Sequence, residues 1–249
     1  MNLRNNFEKN GYLRFPSFLK NEDFFNLSDE LKVKITKKLE EIDLKKIGGY
    51  KVGNLGLYAG NYAVKLWNLL LKENLEKKVL EIFDKPLSDF TIRISGNINF
   101  PNKGDQYFHT DGSFDQKMYL ISLATEDIRE ESGPTEIVLN TSYKLPYWKF
   151  VFKKKEKKKL ILSKGDLVIR KHALWHRGTK NLSDKPRFLI SFLLFDKTSK
   201  YKSNFEDNLD IQIFNNFFTS DPIGRFKEEI YIKLPFLFQF YRFIKSILN

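Results

Sequence analysis

Two hydrophobic periods divide the chain. Up to about residue 88 the apolar positions recur at three- and four-residue steps, the signature of helices with one buried face. After FPSFLK, Asn21 stands as an N-cap for a helix reaching about Ile42, with Phe24, Leu27, Leu31, Ile35 and Leu39 in one stripe. A Gly-rich loop, GGYKVGNLGLYAGN, follows, and Asn61 then precedes a second helical pattern, YAVKLWNLLLKENLEKKVLEIF. From Asp89 the period drops to two. FTIRISGNINF, MYLISLAT, TEIVL, KLILS, DLVIRK and RFLISFLLF read as short strands separated by turn residues. Such spacing predicts a β-sandwich or jelly roll buttressed by N-terminal helices, an α+β fold. The final stretch, LPFLFQFYRFIKSILN, predicts an apolar C-terminal helix. It is expected to dock on the domain or on a second subunit, as in a homodimer; lying on a membrane surface is the alternative.

Composition sharpens this picture. The 249 residues show no repeat and no linker, so one domain over 1–249 is expected: a helical part to about 88, a β core over about 89–196 and an extension from about 197. There is no cysteine, which removes disulfides, thiolate metal sites and cysteine nucleophiles. The opening MNLRNNFEKNGYLRF has no apolar signal region, and no apolar run spans a bilayer, so a cytoplasmic location is expected. Lys and Arg exceed Asp and Glu by 43 to 31, giving +12. Much of the excess lies in KKKEKKK, Lys153 to Lys159, which lacks interleaved aromatics and reads as a solvated face; no nucleic-acid partner is expected.

Candidate chemistry gathers around three histidines. In YFHTDGSF, residues 107 to 114, His109 and Asp111 stand two apart, so in extended chain both point to one side. The others, His172 and His176, occur in RKHALWHRGTKN after a Gly-Asp turn and a strand. One of them returning beside His109 would give two imidazoles and a carboxylate on one face of an octahedral ion. Arg187 opens an apolar strand on the same face as Leu189, Ser191 and Leu193; burying it requires an anion, either a protein carboxylate or a ligand.

These segments together resemble the phytanoyl-CoA dioxygenase-like family of Fe(II)/2-oxoglutarate oxygenases, from about Phe7 to Phe195. FEKNGYLRFPSFLKNED resembles the family's opening, HTD its His-x-Asp pair, and KGDLVIRKHALWHRGTKNLSDKPRFLISF its closing segment. ESGPTEIVLNTSY resembles its Gly-Pro turn but departs from the pattern at Asn140 to Tyr143. The family's distal histidine precedes its cosubstrate-binding arginine by eleven residues; His176 stands at that distance from Arg187, and His172 at fifteen. The resemblance therefore implies a double-stranded β-helix (jelly roll, cupin-like) in which His109, Asp111 and His176 hold Fe(II). Arg187, with Ser191 on its strand face, meets the far carboxylate of 2-oxoglutarate. Gln106, Asn97 and Asn99 reach the cosubstrate or are ordinary strand-edge residues; Trp175 and Phe108 wall the pocket; His172 sits at its rim; Asn181 is a turn residue. Consumption of O2 and 2-oxoglutarate would release succinate and CO2 and hydroxylate a small molecule, anionic or acyl-type. Asp111 argues against halogenation, which uses a small residue in its place.

The rival readings are a cupin-like metal protein without 2-oxoglutarate turnover, a basic binding module, and a zinc hydrolase built on HALWH. The last lacks a glutamate beside the first histidine.

Overall fold

The structure, a computed structural model, describes residues 2–112, 117–197 and 210–248. Ser113 and Phe114, which end the YFHTDGSF stretch, and residues 198–209 of the extension lie outside these. In chain order the elements are α1 (Leu3–Asn10), β1 (Tyr12–Phe15), α2 (Glu22–Glu41), β2 (Asn54–Tyr58), α3 (Gly60–Lys72), α4 (Leu75–Phe83), β3 (Phe90–Asn99), β4 (Met118–Leu123), β5 (Thr135–Val138), α5 (Tyr147–Phe152), β6 (Lys157–Lys159), β7 (Leu167–Lys171), β8 (His176–Gly178), β9 (Arg187–Asp196), β10 (Gln212–Asn215), α6 (Pro222–Lys233) and α7 (Pro235–Leu248).

The strands form two antiparallel sheets, β1-β7-β4-β9-β3-β2-β10 and β6-β5-β8. They face each other as a jelly roll, because residues of both line one interior cavity. The alternation of β9 separates two environments. Phe188, Ile190, Phe192 and Leu194 pack with Leu66, Leu70 and Val79 of the helical layer. Leu189, Ser191, Leu193 and Phe195 turn to the cavity between the sheets.

The predicted α2 forms between the expected limits. Asn21 accepts a hydrogen bond from the Phe24 N–H, and Glu22 and Asp23 meet the positive end of the helix dipole. Three expectations need correction. The second helical pattern is two helices, broken where Asn74 takes φ 63°, a left-handed geometry that asparagine tolerates; Asn61 lies inside the first of them, whose N-cap is Ala59. The Gly-rich stretch contains β2, and Tyr12–Phe15 forms β1, so the N-terminal part is not purely helical. KLILS contributes only Lys159 to β6, the end of the lysine run, together with an isolated bridge from Leu162 to Ile128. Apolar alternation there reflects packing between the sheets rather than ladder pairing.

The KGD turn before β7 anchors the N-terminus to the core. Gly165 sits at φ +96°, and a Cβ there would lie 2.0 Å from the Leu19 carbonyl oxygen. The buried Asp166 carboxylate accepts hydrogen bonds from Arg14, from the Ser17 N–H and from the Ser163 N–H. Asp166→Ala strands those donors. It is expected to cost about 2–4 kcal/mol, read as a lower urea midpoint at unchanged slope.

Candidate active site

Residues 106–111 run antiparallel to 172–178 and are stitched to them by backbone hydrogen bonds. His109 and His176 exchange two N–H···O=C bonds of 2.9 Å, the Gln106 N–H donates to the Gly178 carbonyl, and the Asp111 N–H donates to the His172 carbonyl. Opposed residues of an antiparallel pair project to one side, so the imidazoles converge, with ring centroids 4.4 Å apart. Asp111, two residues along, joins them. One ligand atom from each of His109, Asp111 and His176 can be chosen so that all three lie within 4.8 Å of one another.

Each ring has its tautomer set by the backbone. The Nδ1 of His109 lies 2.9 Å from the Tyr107 carbonyl oxygen, and that of His176 lies 2.9 Å from the Leu174 carbonyl oxygen. A carbonyl only accepts, so Nδ1 carries the proton and the Nε2 lone pair is left for a ligand. Burial lowers the basicity of both rings, and that of His176 falls to about 3. Burial also pushes the Asp111 carboxyl upward, but Arg170 and the two histidines outweigh it and hold the group well below the usual carboxylate range. Two neutral imidazoles and one carboxylate form a donor set suited to a divalent transition metal.

Arg170 organises this set. Its Nη2 donates to Asp111 Oδ2 at 2.6 Å. The same guanidinium lies 3.5 Å from Nδ1 and 3.3 Å from Nε2 of His176. Asp111 Oδ1, the other oxygen, faces His109 Nε2 at 4.0 Å.

A cavity of about 390 Å³ opens from the triad between the sheets. Gln106, Asn97 and Ser191 line it, as do Ser95, Ser122 and Arg93. Gln106 is held by the Gly178 N–H, and Ser191 pairs with Ser122 at 3.0 Å. Arg187, at the end of the same β9 face, is 2 % exposed and not among the lining residues. It donates to Asn97 Oδ1 and to the Gly133 carbonyl, each at 2.9 Å, while its Nε has no hydrogen-bond partner. No carboxylate of the described residues lies within ion-pair distance of it. Burial lowers its pKa to about 10, so it stays charged at neutral pH. Glu126, which accepts from the Phe188 N–H and the Lys32 ammonium, offsets part of this charge from beyond ion-pair distance. A buried cation with an idle donor and only this distant counter-charge is suited to a further anion.

The sequence profile described as Phytanoyl-CoA dioxygenase (PhyH) matches residues 7–189. The chain belongs to that family. No curated protein matches the chain in sequence. Solved structures that share the fold with this PhyH member include the non-heme alpha ketoglutarate dependent carbocyclase SnoK from nogalamycin biosynthesis, with TM-score 0.57 and 14 % identity over 86 % of this chain and 95 % of that one. The epimerase SnoN, in complex with Fe3+, alpha ketoglutarate and nogalamycin RO, gives 0.55 at 14 % identity over 80 % and 84 %. HygX from Streptomyces hygroscopicus, with nickel and 2-oxoglutarate bound, gives 0.53 at 14 % identity over 80 % and 87 %.

Phe108, Trp175 and Asn99 of this PhyH chain differ from expectation. Phe108 and Trp175 do not line the cavity of the triad. As immediate neighbours of ligands in extended chain they point the opposite way, and Trp175 stacks on Phe150 at 4.1 Å in a separate cluster. His172 lies in a turn, not a helix, and its ring Nδ1 faces the Met118 carbonyl at 2.8 Å, outside the triad. The zinc-hydrolase reading of HALWH therefore has no structural basis. Asn181 is buried and spans its turn, donating to the Asn99 and Lys185 carbonyls. Asn99 donates to the Gly133 and Thr179 carbonyls instead of lining the cavity.

Sequence reading missed Arg170, although an arginine inside DLVIRK carries the same signal that drew attention to Arg187. It also missed Phe217, beyond the PhyH match, whose ring meets His109 edge-on at 5.0 Å. No periodic signal in the chain announces that contact.

In anaerobic titration with Fe(II) or Ni(II), His176→Ala is expected to abolish binding and His172→Ala to retain it. Arg170→Gln should weaken binding about tenfold or more by releasing Asp111. The metal-free protein should also lose stability as pH falls from about 7 to 5. In that window histidines of the unfolded chain take up protons that the folded rings refuse, so stability rises with pH, by about 2 kcal/mol for His176 alone. Asp111, with its depressed pKa, stays ionised throughout the window. Urea unfolding at several pH values reads this slope.

Proposed function

We propose that the protein is an Fe(II)- and 2-oxoglutarate-dependent oxygenase that hydroxylates a small molecule, with His109, Asp111 and His176 as the iron ligands. The observation that carries this reading is the pairing of the neutral-imidazole and carboxylate triad with the buried Arg187 guanidinium, which has an idle Nε and no carboxylate within ion-pair distance, at the end of the β9 face that lines the cavity. One part suits the metal and the other suits the far carboxylate of a short dicarboxylic acid.

Iron with 2-oxoglutarate and O2 supplies oxidative decarboxylation to succinate and CO2, coupled to cleavage of a substrate C–H bond. The chain's part is positioning. The Tyr107 and Leu174 carbonyls fix the ring protons on Nδ1. Arg170 holds one oxygen of Asp111 and leaves the other to the metal side. His109, Asp111 and His176 would hold the metal through three protein atoms and leave it open to cosubstrate and oxygen. Asn97 and the Gly133 carbonyl aim Arg187. Gly133 itself sits at φ +69°, where a Cβ would come within 2.4 Å of Asn99 Nδ2, so this turn keeps a glycine. Gln106 and Ser191 serve as polar contacts to the cosubstrate along the wall, where Leu189, Leu193 and Val168 exclude water.

Arg93 borders the cavity, which favours a substrate with an anionic group. Hydroxylation is the proposed outcome because Asp111 occupies the carboxylate position that halogenation leaves empty.

The test is succinate formation from 2-oxoglutarate with Fe(II), O2 and a metabolite pool. His176→Ala should abolish it. Arg187→Gln should raise the KM for 2-oxoglutarate at least about tenfold while leaving metal affinity near wild type. Metal binding without any succinate in wild type would favour the cupin-like reading instead.

A further inference from the structure

Helix α7 turns most of its apolar side chains outward. Its polar side chains face the protein: Gln239 accepts a hydrogen bond from the Tyr147 hydroxyl, Arg242 donates to the Phe108 carbonyl at 2.6 Å, and Ser246 accepts from the Trp148 N–H. Phe238 and Phe243 pack inward with them, but the remaining apolar side chains face solvent, with Phe236 77 %, Phe240 55 % and Leu248 79 % exposed, and Leu237, Tyr241, Ile244 and Ile247 exposed between them. On that outward face Lys245 is the one charged residue. Isolated exposed leucines are ordinary, but a contiguous helical face of this kind marks a surface that is covered in use.

The surroundings indicate what covers it. Helix α5 packs on α7, with the ring of the 77 %-exposed Phe152 at 6.1 Å from Phe243. Around that contact the chain is mainly basic, with Glu156 closing the α5 lysine run and Glu229 paired to Lys233. Residues 142–155 contain five lysines and no acid, and residues 231–249 contain Lys233, Arg242 and Lys245 and no acid. A twofold pairing through α7 would set these lysine borders against each other, like charge on like. An anionic lipid surface meets both features at once, the apolar face entering the acyl boundary and the lysines meeting the headgroups. At 14 residues α7 is too short to cross a bilayer, and no helix of the described residues is long and apolar enough to do so. The orientation suited to it is parallel to the surface.

We propose that α7, bordered by the α5 lysines, is a docking face for anionic membranes. Docking there places the bilayer against the helix that carries Arg242 and Phe238. These two residues and His109 share a second, aromatic cavity of about 150 Å³ with Tyr107, Phe217 and Tyr231.

The test is co-sedimentation of the full-length chain with vesicles of phosphatidylcholine, with or without phosphatidylglycerol. Wild type is expected to bind the mixed vesicles, to bind pure phosphatidylcholine about tenfold or more weakly, and to be released by high salt. F236S/F240S should lose vesicle binding, and K149Q/K153Q/K154Q should weaken it about tenfold or more, both with unchanged thermal unfolding and metal affinity. Failure of wild type to bind the mixed vesicles overturns the proposal. So does a stable dimer in solution that F236S/F240S converts to monomer without vesicle binding, since a second copy would then be the cover. Neither result bears on the metal site, so the oxygenase reading stands or falls separately.

Discussion

Two backbone hydrogen bonds between His109 and His176 bring together residues far apart in the chain. Everything chemical in the molecule depends on that pairing. Side chains of two or three bonds' length cannot bridge a misplaced backbone. The strand pairing that sets the ligand positions therefore has to be exact to one residue, since a slip by one would turn Phe108 or Trp175 inward in place of an imidazole. The sheets on either side supply that exactness through their buried faces. The helical layer α2 to α4 in turn keeps the large sheet's outer face dry.

The electrostatics follow from the same enclosure. Burial keeps both imidazoles neutral, whereas the Asp111 carboxylate survives burial because Arg170 lies against it. Charge thus reaches the interior as paired groups, whereas Arg187 has only Glu126, beyond ion-pair distance, to offset it. Its hydrogen bonds go to a neutral amide and a carbonyl, which orient a guanidinium without neutralising it. A cation only partly compensated is a standing cost in a folded chain, and a dianionic small molecule is a direct way to relieve it.

Much of this could be read from residue order alone. The His-x-Asp pair and the apolar β9 run carry a period of two, and period fixes which side chains share a face. The eleven-residue spacing from His176 to Arg187 pointed to the distal histidine through family resemblance. Arg170 escaped because its partners, Asp111 and His176, are defined only once β7 is laid beside β4. The break at Asn74 escaped because the apolar stripe continues through it. The outward apolar face of α7 escaped for a related reason: a helical pattern reveals that a stripe exists, but the direction it faces is settled by Gln239, Arg242 and Ser246 finding partners on the body of the protein.

The hydrogen bond from Arg242 to the Phe108 carbonyl couples the C-terminus to the centre of the molecule. Phe108 immediately precedes His109, and Tyr107, whose carbonyl fixes the His109 proton, packs against Tyr231 and Phe238. The last helix thus acts as a splint on the loop that presents the first imidazole. A chain clipped within its final two dozen residues would keep its sheets and its helical layer while leaving that imidazole unsupported.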